Sequence, residues 1–259
     1  MDRHTAEVVC PPIARATANL LIREHHACTA PAGLNQPQMA VRAGAVRTLS
    51  AMSTDQCRID AARALRDLNH CFAAHDPDDE HLRDIARDAH ALVARLDATR
   101  RRDRLALMRA VGPDTFPNTS SGSGFADRAV GGAANPTSVD VDVTFEPDEV
   151  IARVVLRQAF EGAPGRAHGG IVAAAFDDVT GFVIGQIHEP AFTGELVVRY
   201  LAPVPVNETL EIRARLDSRE RRKLFITAEA RHADEIVATC RAIYITVDPT
   251  RFAGAPDPR

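Results

Sequence analysis

The stretch His168-Gly169-Gly170-Ile171-Val172-Ala173-Ala174-Ala175-Phe176-Asp177-Asp178-Val179-Thr180-Gly181-Phe182-Val183-Ile184-Gly185-Gln186-Ile187 has only four polar side chains after Gly170: Asp177, Asp178, Thr180 and Gln186. The composition predicts a helix over 168–187, and a helix apolar on nearly every face is a buried one. No run of 18 apolar residues occurs anywhere in the chain, so a membrane span is not expected. Around this helix the hydrophobic period changes to two. Val139, Val141, Val143 and Phe145 alternate with polar partners, and Val150, Ala152, Val154 and Leu156 follow. Pro147-Asp148 between them predicts a hairpin. Four more strands are expected near 193–200, 207–217, 222–232 and 235–247. One buried helix among mostly antiparallel strands is an α+β arrangement, expected over 138–250 with a tail at 251–259.

Upstream the chain reads differently. Pro11, Pro12, Pro31 and Pro37 interrupt any helix in the first 51 residues. Met52 is followed at once by Ser53-Thr54-Asp55, so 1–51 is expected to be a poorly ordered extension upstream of the true start. A helical hairpin is expected over 52–111. Ser53 with Gln56 makes a capping box, and Ile59, Ala62, Leu65, Leu68 and Phe72 form an apolar stripe. Asp76 is a natural N-cap for a second helix with Pro77 in its first position. Leu82, Ile85, Ala89, Leu92, Val93 and Leu96 make its stripe. Residues 112–137, rich in Gly, Ser, Pro and Asn, are a linker or a loop lying over the next domain. DNA binding by the hairpin is not expected. Both helices are too long for a helix-turn-helix, and Arg100, Arg101, Arg102 and Arg104 read as a solvated helix end.

A net charge of -4 gives no reason to expect a nucleic-acid partner. Cys10, Cys28, Cys57, Cys71 and Cys240 have no zinc or CxxC spacing. Free thiols, with no secretory leader, fit a reducing, cytoplasmic setting. No histidine has metal-ligand spacing, and no phosphate-binding glycine fingerprint is present. Heavy use of Ala, Arg, Gly and Pro, with Lys223 the single lysine, points to a GC-rich bacterial genome.

Carboxylates are rarely buried without a partner or a task. In a structural reading, one Asp of the 177–178 pair bonds a backbone group or an Arg and the other reaches solvent. In a catalytic reading, one is an acid–base group, and the unpaired N–H groups at the Gly169-Gly170 helix entry stabilise a developing oxyanion. Helix geometry alone does not choose between neighbours about 100° apart.

Phe160-Glu161-Gly162-Ala163-Pro164-Gly165-Arg166-Ala167-His168-Gly169-Gly170, with an acid nine residues after the histidine, resembles the PaaI-like acyl-CoA thioesterases of the hotdog superfamily. The resemblance continues through Phe192-Thr193-Gly194-Glu195-Leu196-Val197-Val198-Arg199-Tyr200, Pro203-Val204-Pro205 and Arg222-Lys223-Leu224-Phe225. It covers about 139–248. It implies a long helix wrapped by a curved antiparallel sheet, and thioester hydrolysis at a dimer interface. By position Asp177 is the general base or nucleophile, and the Gly169 N–H polarises the carbonyl. His168 shapes the turn, and Thr193 holds the attacking water. Gly170, Arg199, Arg222 and Lys223 are candidates for substrate contacts, the last three for the phosphates. The resemblance implies no metal and no cofactor, since coenzyme A is part of the substrate.

Two departures stand out: no Asn precedes the His-Gly-Gly, and Leu201-Ala202 replace a segment that is often basic. The first argues against a simple phenylacetyl-CoA-type substrate. Asp177 lies eight residues beyond Gly169, about 12 Å along a helix axis. One carbonyl meets both groups more readily if two copies pair antiparallel, so a homodimer or dimer of dimers is expected. The alternative reading is an acyl-CoA-binding sensor without turnover. A hotdog dehydratase shares the fold but not the residue pattern.

Overall fold

The computed structural model describes residues 44–103, 106 and 126–247, with 44–55 as backbone only. Expectations for 1–43, for most of the 112–137 segment and for the tail lie outside the described residues. All the described residues fall in one unit, 43–259. The element order is α1 (Gly44–Ala74), α2 (Asp79–Asp97), β1 (Asp140–Phe145), β2 (Val150–Val155), a 3-10 turn (Gln158–Phe160), β3 (Glu161–Ala163), β4 (Arg166–Ala167), α3 (Gly169–Gln186), β5 (Ala191–Tyr200), β6 (Thr209–Glu220), β7 (Lys223–His232) and β8 (Glu235–Thr246).

Six strands form one sheet in the order β1-β2-β6-β7-β8-β5, every neighbour antiparallel. Period-two patterning is what builds it: Leu224, Ile226, Ala228 and Ala230 of β7 are buried, while Phe225, Thr227, Glu229 and Arg231 between them are half-exposed. α3 lies against β2, β5, β6, β7 and β8. Val172, Phe176 and Val179 are at most 1% exposed, each contributing roughly 1.5–3 kcal/mol by burial. This is an α+β fold with an N-terminal helical hairpin and a central helix packed on an antiparallel sheet, the hotdog arrangement. Among the described residues no helix is long and apolar enough to cross a membrane.

The hairpin differs from its expected form in three ways. α1 runs through Ser53, so no cap is made there, and Gln56 instead donates to Asp60 at 2.9 Å. The N-cap of α2 is Asp78, whose carboxylate accepts the His81 N–H at 2.9 Å; Asp76 and Pro77 lie before the helix. The apolar stripes are covered only in part: Ala62 is buried and Ile59, Leu82 and Ile85 are half-buried, while Leu65, Leu68, Phe72, Leu92, Val93 and Leu96 are exposed, and Ala62 shares the buried face of α1 with Arg66 and His70.

α1 is therefore docked by polar groups. The Arg66 guanidinium, 5% exposed, donates to the carbonyls of Ala133 (3.2 Å) and Asn135 (2.6 Å) and to Ser138 Oγ (2.7 Å). Its Nε stands 3.7 Å from Asp140. Arg157 reaches back to Asp67 at 2.6 Å and to Asp140 at 3.6 Å. His70 Nδ1 accepts the Ala159 N–H at 3.1 Å, and its ring meets Phe160 edge-on at 5.1 Å.

Accepting that bond requires a neutral His70. Burial, reinforced by Arg157 and Arg66 and opposed by Asp140 and Asp67, lowers its pKa below the ordinary 6.5. A histidine with a depressed folded pKa contributes stability that is full above the unfolded value and lost as pH falls through the folded one. Thermal unfolding of the whole chain should show the midpoint falling as pH is lowered below 6.5, with a shallower fall in His70→Asn. Equal slopes would show that His70 is not the group responsible.

Candidate active site

The entry to α3 is built by close backbone contacts. His168 is the N-cap, its Nδ1 accepting the Gly170 N–H at 3.0 Å. Its own N–H donates to the Phe160 carbonyl at 2.8 Å, and Ala167 N–H donates to the Val204 carbonyl at 2.9 Å. A Cβ on Gly162 would stand 2.7 Å from His168 Cα, so only glycine lets the β3 strand pass this near. Gly169 occupies the first helical position, where a backbone N–H has no intrahelical acceptor. Its carbonyl accepts the Tyr200 hydroxyl at 2.6 Å. A Cβ at 169 would meet that ring at 3.3 Å.

Two turns further on, Asp177 is half-buried, and its Oδ1 accepts the Thr193 hydroxyl at 2.8 Å. The backbone of β5 makes this contact possible. Its pairing with β8 slips between Thr193 and Glu195, a one-residue bulge at Gly194. Leu196 and Val198 lie opposite Ala242 and Cys240, on the helix-facing side. Unbroken alternation would then put 194 inward and 193 outward. The bulge reverses this and sets Thr193 opposite Tyr244 on the inner face.

Tyr244, 4% exposed, fastens the same turn of helix from β8. Its hydroxyl donates to the Asp177 carbonyl at 3.0 Å and lies 2.9 Å from Thr180 Oγ1. Burial pushes the phenol up to about 12, so it stays a neutral donor. Burial likewise pushes the nearby Cys240 thiol up to about 12, which makes it unreactive.

Asp178 faces elsewhere. Its Oδ1 accepts from Arg128 Nε at 3.2 Å, and that guanidinium lies 4.5 Å over the Phe182 ring. The other oxygen is buried with no hydrogen-bond partner, under Gly131, where a Cβ would come within 2.2 Å of it. Burial raises the Asp178 pKa, and Arg128 opposes the rise.

The structure thus brings Asp177 and Thr193 together, and His168 with Gly170. Gly169 sits at the N-terminus of α3, eight residues before Asp177 at mid-helix. Arg199, Arg222 and Lys223 are exposed, and Arg222 spends Nε and Nη2 on the Thr246 carbonyl at 3.0 and 2.9 Å. Sequence reasoning did not single out Tyr244, Arg128 or Tyr200 as site residues. The first two are isolated polar residues with no motif, while Tyr200 closes the Phe192–Tyr200 stretch and could have been weighed. Among the described residues no group of three His, Cys, Asp or Glu is placed to hold a metal.

Residues 164–239, which include His168, Gly169, Asp177 and Thr193, match the family model of the thioesterase superfamily. Acyl-coenzyme A thioesterase THEM4 of Bos taurus is 31% identical over 93 residues, 35% of this chain and 38% of the relative. THEM4 of Xenopus laevis is 32% identical over 91 residues, 34% of this chain and 41% of the relative. The chain therefore spans less than half the length of these relatives. A crystal structure of a thioesterase superfamily protein superposes with a TM-score of 0.58 at 22% identity, covering 73% of this chain and 90% of that one. That likeness is one of fold. In sequence, the stretch 164–239 is thus similar to the thioesterase superfamily. Part of the chain is similar to the THEM4 acyl-coenzyme A thioesterases.

Replacing Arg128 with Met leaves a buried carboxylate without its cation and should cost about 3 kcal/mol, the low end for breaking a buried pair. A carboxyl whose folded pKa is raised binds its proton more tightly when folded, so its contribution to stability is lost as pH rises through that pKa. Without Arg128 the rise is larger. The stability deficit of Arg128→Met, read by urea unfolding, should be greatest near neutral pH and shrink toward pH 4. A deficit independent of pH would show that Arg128 acts by packing alone.

Proposed function

We propose that this chain hydrolyses an acyl-CoA thioester to the free acid and CoA. The observation that carries this is the Thr193–Asp177 hydrogen bond of 2.8 Å, made by a bulge that turns Thr193 inward. A hydroxyl donating to a carboxylate, facing a helix flank, is suited to hold and deprotonate a water. The names of the THEM4 relatives agree with a CoA thioester as substrate, and the resemblance to PaaI-like enzymes supports the same chemistry.

In this reading Asp177 takes a proton from water as the water oxygen bonds to the thioester carbonyl carbon. The Gly169 N–H at the helix N-terminus stabilises the resulting oxyanion. The carbon–sulfur bond then breaks, and CoA leaves as the thiol after taking up the proton. Direct attack by the carboxylate, followed by hydrolysis of the anhydride, uses the same groups. His168 shapes the turn through Gly170. Of the three candidate cations, Arg199 and Lys223 are exposed for the CoA phosphates, and Arg222 has one nitrogen left beyond its bonds to Thr246. Arg128 already neutralises Asp178, which favours Asp177 as the working carboxylate.

Gly169 and Asp177 stand about 12 Å apart along one axis, so the complete site takes Asp177 from one protomer and Gly169 from another. β5 is an edge strand exposing Val197 and Tyr200, an edge open to a second copy.

Asp177→Asn should lower kcat for CoA release by about 100- to 10,000-fold in a folded protein. Gly169→Val should also be inactive. Mixing the two inactive variants should restore part of the activity, since one site of each hybrid dimer is then intact. An active Asp177→Asn protein would sink the assignment. Activity lost in both variants but not recovered on mixing would remove the shared site. Saturable acyl-CoA binding with no turnover in the parent would make the chain a sensor.

A further inference from the structure

We infer that His70 of α1 is a positioning residue for the turn that presents the Gly169 N–H, so that the N-terminal helix is a working part of the catalytic unit. The inference deepens the proposed function and rests on Gly169 acting there. The path from helix to turn is short and continuous. His70 Nδ1 accepts the Ala159 N–H at 3.1 Å, and its ring packs edge-on against Phe160. The Phe160 carbonyl accepts the His168 N–H at 2.8 Å. His168 is the N-cap of α3, holds the Gly170 N–H on its own ring, and is followed directly by Gly169.

The 3-10 turn in the middle of this path is short and half-exposed, with Phe160 packed on the edge of the core and Gln158 bonded to Glu161. It is three residues long and none of them is buried. Its internal bond runs from Phe160 N–H to the Arg157 carbonyl, and the Gln158 side chain reaches Asn207 at 2.9 Å. α1 grips it twice, with Asp67 on the Arg157 side chain at 2.6 Å and His70 on the Ala159 backbone. These two helix residues are three apart and so share a face. Arg66, on the preceding turn, locks the helix itself to the carbonyls of 133 and 135, to Ser138 and to Asp140. The helix uses polar anchors where an apolar stripe was available. Polar anchors have direction, and they fix register as well as proximity. An oxyanion donor needs that accuracy, because a misplacement of 1 Å in a reacting group is costly.

The test uses the full chain and two variants. His70→Leu keeps bulk and removes the acceptor; His70→Asn keeps an oxygen able to take the place of Nδ1. Amide hydrogen exchange across 157–172 should rise about tenfold at Ala159 and His168 in His70→Leu, the opening expected from one lost hydrogen bond. It should return toward parental rates in His70→Asn, and amides of β7 and β8 should not change in either. In steady state His70→Leu should lose about tenfold in kcat with little change in KM, because a ground-state contact is not removed. If His70→Leu does not fold, Asp67→Ala, at an exposed position, loosens the other grip and should raise exchange over 157–168 by a smaller factor. Parental exchange at Ala159 and His168 in folded His70→Leu would overturn the inference. A parent that hydrolyses no acyl-CoA would remove the proposed function, while the exchange arm would still decide whether α1 holds the turn.

Discussion

Two neighbouring carboxylates on a helix that is otherwise buried impose a condition on the whole domain. Each needs a partner, and because successive side chains point about 100° apart they cannot share one. Arg128, from the segment before β1, bonds one oxygen of Asp178 and leaves the other without a partner, and Thr193, from the strand after the helix, bonds Asp177. Both flanks of the domain are thereby drawn to one helical turn. Tyr244 brings the last strand to the same place by bonding the Asp177 carbonyl. A Cβ at Gly181, one turn on, would lie 3.7 Å from that hydroxyl. The sheet is fastened to its helix at the point where the charges sit, which is also the point where the proposed chemistry needs fixed geometry.

The N-terminal helix obeys a related condition. Burying Arg66 and His70 removes them from water, and this is tolerable only because carbonyls, a hydroxyl and a backbone N–H replace the solvent. The partners come from two short irregular stretches, 133–140 and 157–159. Such stretches have no ladder of their own, so each side stabilises the other. Most of the hairpin's apolar stripe residues remain on the surface.

This division explains what could be read from the sequence. The six strands of the large sheet were legible to within a few residues because a half-buried strand writes its pleat into the chain, whereas the short β3–β4 pair, with no alternation to show, was not. The central helix was legible because seventeen residues with four polar side chains have few other uses. The hairpin stripes were legible as helix but misleading about burial, since period reports a face and not what covers it. The cap assigned to Ser53 failed for a related reason: serine suits a cap yet is tolerated inside a helix whose start is set elsewhere. In Asp76-Pro77-Asp78-Asp79, three residues suit a cap, and the one whose oxygen reaches the His81 N–H prevails. Arg128, Tyr244 and His70 act through partners 50 to 89 residues away, and pairing at that range has no period. Thr193 was marked by resemblance; the bulge that turns it inward cannot be seen in a sequence.

β5 draws these threads together. It runs antiparallel to α3 and holds that helix at both functional points, Thr193 at Asp177 and Tyr200 at the Gly169 carbonyl. It is also the edge of the sheet. In the proposed dimer, an antiparallel pairing of this edge with its own copy, centred near Val197, sets the Thr193 end of one strand beside the Tyr200 end of the other. Asp177 of one copy then approaches Gly169 of the second without any rearrangement inside either. The 12 Å separation along a single helix, an obstacle for one chain, becomes about the offset a two-fold axis requires. The same strand would supply the carboxylate's partner, the support for the oxyanion turn and the interface that joins them. That shared duty gives a reason for its irregularity to be confined to Gly194, at one end, away from the centre of the pairing.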